Sequence, residues 1–137
     1  MATKIRPELS IKNKYYIDKH RHYELKHFCL QYHEWKRAYN SCDGLNASRI
    51  DDGIRSSEPG DPTAKYAMKK AYYLERIQMV ERAAMDADQV LCNYILKAVT
   101  EELSYTYLKS KLKIPCGKDM YYDRYRRFFW LLSNSRG

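Results

Sequence analysis

Apolar positions fall at helical steps along most of this 137-residue chain, and no stretch alternates apolar with polar for more than a few residues. From about Ile17 to Tyr39 the aromatic residues Tyr23, Phe28, Tyr32, Trp35 and Tyr39 recur three to five apart, which predicts one amphipathic helix. Ala67, Ala71, Leu74, Ile77, Val80 and Ala84 form a stripe at steps of three or four and place a second helix over 62–87. Asp61 is its expected cap and Pro62 its first helical residue. Asp86-Ala87-Asp88 should end that helix and cap a third, about 89–101, burying Leu91, Tyr94, Ile95 and Ala98. Ser104 should cap a short fourth helix through Leu112, beyond which Pro115 forbids continuation. A final helix is expected from near Gly117 to about Asn134. The expected fold class is therefore all-α, with about five helices and a C-terminal helix-turn-helix.

The remaining segments divide the chain. Residues 1–16 show no steady period and predict an N-terminal arm. Residues 40–62 hold three of the five glycines and two of the four prolines, so a flexible loop is expected at 40–61 within a helical domain spanning 17–103. Residues 104–137 form the helix-turn-helix segment. Scarce glycine and proline beside abundant Lys, Arg, Leu, Ala and Tyr fit this helical reading.

Charge sharpens the picture. The formal net charge is +8, and it sits at the two ends. Residues 1–39 carry nine Lys/Arg against four acids, and residues 104–137 carry eight against two, whereas 40–64 are net acidic and 65–103 balance. Localised positive charge attracts a polyanion by counterion release. No apolar run approaches the roughly 18 residues of a membrane span, and the N-terminus lacks the apolar core of a secretory signal. Membrane association is not expected, and a cytoplasmic location is. Cys29, Cys42, Cys92 and Cys116 never form a close pair and are expected as free thiols.

The last thirty residues carry the candidate chemistry. On the final helix Tyr121, Tyr125, Phe128 and Leu132 share one face, with Phe129 and Leu131 beside it, and Leu108, Leu112 and Ile114 complete a small core. Asp119, Asp123, Arg126 and Arg127 fall away from that face, and so does Trp130. A helix that docks on DNA needs such a division between a packed side and a cationic side. Lys118, Tyr122, Arg126 and Arg127 are the expected principal DNA contacts. Ser104, Tyr105 and Lys113 would position the phosphate backbone, and Asp119 and Asp123 would read cytosine amines or exclude wrong registers.

Other chemistry finds less support. His20, His22, His27 and His33 cluster within fourteen residues, and Cys29 stands one turn from His33, but standard metal-ligand spacing is lacking, so no metal is expected. Fourteen tyrosines suit half-buried packing or contacts with bases and phosphates. Cys116, near a helix start and Lys118, is the one candidate for an activated thiol, without a histidine nearby in sequence. No phosphate-loop glycine pattern occurs, and Asp51-Asp52 lies in the expected loop. Neither an enzyme nor a cofactor is expected.

The segment S-Y-x-x-L-K-x-x-L-x-I-P-C-G-K-D-x-Y-Y-D-x-Y-R-R-F-F-W-L-L, from Ser104, resembles the C-terminal part of Gram-positive prophage late-transcription regulators of the RinA-like and ArpU-like kind. Their C-terminal segment is similar to the sigma-factor region that reads the −35 promoter element. The stretch K-x-R-x-Y-E-L-K-H-F-C-L-Q-Y, Lys19 to Tyr32, is also similar to such phage proteins. The resemblance implies sequence-specific binding of double-stranded DNA and control of phage late genes. RNA polymerase is a further expected partner, and a homodimer would engage two half-sites. Two alternatives use the same features: a packaging or recombination accessory similar to a small terminase subunit, and an interaction protein that binds RNA polymerase or another acidic partner.

Overall fold

The computed structural model describes residues 12–42 and 62–137, which form six helices and no strand. They are α1 (Lys19–Leu30), α2 (Tyr32–Ser41), α3 (Pro62–Ala87), α4 (Cys92–Glu101), α5 (Tyr105–Ser110) and α6 (Lys118–Arg136). The all-α class is therefore established. Residues 1–11, most of the expected loop and the expected cap Asp61 lie outside the described residues.

The predicted helix over 17–39 is two helices. Gln31 breaks it, donating its backbone N–H to Phe28 and closing the last turn of α1 before Tyr32 starts α2. The aromatic spacing conceals the break, because Phe28, Tyr32 and Trp35 are all buried across it. The described residues resolve there into two compact units, one of residues 12–31 with 79–137, the other of residues 32–42 with 62–78.

In the second unit α2 lies beside the first part of α3, where the Lys70 ammonium sits 5.1 Å from the Tyr39 ring centre. α3 has its predicted bounds, but its stripe is unequally used. Ala67 and Ala71 are exposed and Leu74 half-buried, whereas Ile77, Val80 and Ala84 are buried.

In the first unit α1, α4 and α6 pack together. Their core is Leu25, Phe28, Cys29, Val80, Leu91, Ile95, Leu108, Ile114, Tyr121, Phe128, Phe129 and Leu132. The predicted inner face of the last helix holds for Tyr121, Phe128 and Leu132, while Tyr125 is half-buried and the flanking Phe129 is buried. His22 is buried with its ring edge-on to Phe129 at 4.8 Å, so this histidine is core material joining α1 to α6. Arg21 strengthens the same seam, donating from Nε to Ser133 Oγ and from Nη2 to the Ser133 carbonyl.

The expected arm ends in a folded turn. Asn13 accepts the Tyr15 N–H on its side chain and the Tyr16 N–H on its carbonyl, an Asx-type turn. That turn buries Tyr15 and Ile17 and sets the Tyr15 ring 5.5 Å from Trp130, which accounts for the indole on the otherwise polar side of α6.

Candidate nucleic-acid interface

Residues 104–118 form a tightly held hairpin. Ser104 accepts the Tyr107 N–H on Oγ, the cap expected from its hydroxyl. α5 ends at Ser110, two residues before the predicted end and well before Pro115, because the chain turns back on itself. Ile114 donates its N–H to the Leu108 carbonyl, Lys113 adopts the left-handed conformation (φ 56°), and Tyr105 Oη donates to the Cys116 carbonyl at 2.7 Å. Leu108 and Ile114 anchor the hairpin in the core. Gly117 then caps α6 in ordinary extended geometry, and a Cβ added there would meet nothing within 4 Å.

This hairpin carries Lys109, Lys111, Lys113 and Lys118 and no acidic residue. All four lysines are exposed, and none has an ion-pair partner among the described residues. Asp119, also exposed, follows in the first turn of α6. Lys113 and Lys118 are among the candidate contacts read from the sequence, and the structure exposes Lys109 and Lys111 beside them in the same acid-free run from Ser104 to Lys118.

The arginines of α6 are placed differently. Arg127 donates from Nη1 to Tyr15 Oη at 3.1 Å and from Nε to the Asp86 carbonyl at 3.2 Å, so it ties α6 to the turn before α1 and to the end of α3. Arg124 bridges Asp88 at 2.8 Å and also pairs with Asp123. Arg126 is half-buried, with a buried Nε that has no hydrogen-bond partner. Arg136 stacks on Phe28, 4.0 Å from guanidinium carbon to ring centre, and lies 3.7 Å from Glu24. Tyr122 and Asp123 are half-buried. Thus the hairpin's lysines and Asp119 lie together in sequence on the open surface, while Arg127 and Asp123 are spent on contacts within the fold.

Electrostatics at the hairpin argue against an activated thiol. Burial pushes the Cys116 thiol up, and the nearby Lys109 only partly offsets it. Burial likewise pushes up the Tyr121 and Tyr122 phenols. Among the described residues no three His, Cys, Asp or Glu side chains gather as metal ligands would. No described helix is long and apolar enough to cross a membrane. Comparisons of the chain with protein-family models, with curated proteins and with solved structures find no match.

Proposed function

We propose that the protein binds double-stranded DNA through the lysine hairpin and the first turn of α6, as a regulator of transcription in the bacterial cytoplasm. The observation that carries this reading is the exposed, acid-free quartet Lys109, Lys111, Lys113 and Lys118 on a hairpin pinned to the core. The backbone that carries these lysines is already pinned, so only their flexible stems have to be ordered when the ammonium groups meet phosphates. Lys118 and Asp119, at the start of α6, stand where a docked helix presents side chains to base edges. The likeness of this segment to prophage late-gene regulators supports transcriptional control as the setting, with α5, the hairpin turn and α6 as the helix-turn-helix.

Fluorescence anisotropy on genomic duplex fragments across a salt series tests the reading. Changing all four lysines to glutamine should make the slope of log affinity against log salt shallower by about 3.6, at roughly 0.9 per phosphate contact. An unchanged slope, or no duplex binding at low salt, would remove the proposal.

A second reading has one observation in its favour. Seven residues, 111–117, separate α5 from α6, more than the three or four of a compact helix-turn-helix. The same lysines would then hold an acidic protein surface, RNA polymerase being the expected one. Under that reading the four-lysine variant loses the polymerase and the parent protein never retards duplex DNA.

A further inference from the structure

We propose that a cleft bounded by α1, α4 and α6 binds a free α-amino acid with a branched aliphatic side chain. This inference is independent of the DNA reading. The cleft, which opens to solvent on one side, measures about 180 Å³. That suits a ligand of leucine size, since a cavity of about 150 Å³ takes benzene. Leu30, Val99, Leu103 and Phe129 supply apolar walls. Two opposite charges line the same small space, Lys26 and Glu102, and neither forms an ion pair with the other or with any other described residue. A half-open, mainly apolar cleft with a half-buried cation and an exposed anion at its rim fits a zwitterion with a short hydrocarbon tail.

The backbone adds direction. Glu102 is the residue after α4 and adopts the left-handed conformation (φ 56°, ψ 49°), where glycine is the unstrained choice. That turn ends α4, with the Glu102 and Leu103 N–H groups both donated to the Ala98 carbonyl, and it fixes where the Glu102 side chain leaves the helix. The carboxylate lies at the C-terminal, electronegative end of α4, so both favour an ammonium group there. Lys26 on α1 takes the ligand's carboxylate, and the Ser104 hydroxyl, whose oxygen already accepts the Tyr107 N–H, keeps its proton to donate to that carboxylate. Because Ser104 also caps α5, the ligand would touch the root of the lysine hairpin.

Isothermal titration with L-leucine, 4-methylpentanoate and isopentylamine tests the assignment on the full chain. Leucine should bind saturably at one site, with each analogue at least about tenfold weaker, because each lacks one charge-assisted contact. Glu102→Gln and Lys26→Met are surface changes that should keep the helical signal and each weaken leucine by about tenfold. The proposal is overturned if leucine shows no saturation by roughly 10 mM. It is equally overturned if either analogue binds as tightly as leucine, or if a folded Glu102→Gln protein binds leucine unchanged.

Discussion

Arg124 Nε lies 2.8 Å from Asp88 Oδ2, while Asp88 Oδ1 accepts the backbone N–H groups of Val90 and Leu91, both at 2.9 Å. One carboxylate thus shapes the turn that leads into α4 and fastens α6 to it. Burial works against its charge, yet the Arg124 hydrogen bond and the two amides prevail and hold the carboxyl below the usual range. An unfolded chain protonates Asp88 near pH 4, the folded one only at lower pH. The contribution of this tie is therefore complete above about pH 4 and is lost as pH falls through the depressed value. Asp88→Ala should cost about 1–3 kcal/mol at neutral pH. Asp88→Asn, which keeps an acceptor for the amides, should cost less and flatten the acid limb. Urea unfolding between pH 3 and 7 measures both.

The alkaline limb has a different owner. Burial, with Tyr125 and Tyr122 adding to it, pushes the Tyr121 phenol above the ordinary tyrosine range. The unfolded chain ionises this group near pH 10 and the folded one only higher, so its stability is present below pH 10 and lost above it. Tyr121→Phe should leave neutral stability within about 1 kcal/mol and soften the loss above pH 10. Thermal melts from pH 8 to 11 would reveal the difference.

Arg127 separates the packing role of α6 from the binding role proposed for the hairpin. Removing its bonds to Tyr15 and Asp86 by Arg127→Ala should destabilise the protein by about 1 kcal/mol, and Tyr15→Phe by somewhat less. Both variants should keep the parent's salt slope for DNA, unlike the lysine variants. A slope shallower by about 0.9 for Arg127→Ala would return this arginine to the interface.

Thiol chemistry reports on the core. Cys29 is fully buried and its thiol is pushed up by burial, whereas Cys42, Cys92 and Cys116 are half-exposed. A thiol reagent should modify three cysteines readily and Cys29 only at the rate of global unfolding. Modification of all four at one rate would show that α1 detaches from the core by itself.

Much of the fold was legible because its signals are local. Pro62, the stripe that follows and the Asp86-Ala87-Asp88 stop bound α3 where the pattern placed it. Ser104 declares its cap by chemistry alone. The break at Gln31 was hidden, since a single turn residue lets buried aromatics keep a spacing that a continuous helix would also produce. The start of α4 fell at Cys92, three residues past the expected 89, because Asp88 spends its carboxylate on an Asx turn before the helix proper. The arginines were opaque for another reason. Whether Arg127 faces solvent depends on Tyr15, 112 residues away, and no spacing rule along α6 contains that partner. The exposure of the lysines is easier to read, because a cation on a short hairpin without acids has nothing nearby in sequence to pair with it.

The empty space beside Gly117 gives the surface room to change. Serine, aspartate, cysteine or arginine lies one nucleotide away from common glycine codons, and a side chain there would stand at the head of α6 without disturbing a neighbour. A surface contact could thus be added at that spot by one substitution, leaving the helices beneath indifferent to the outcome.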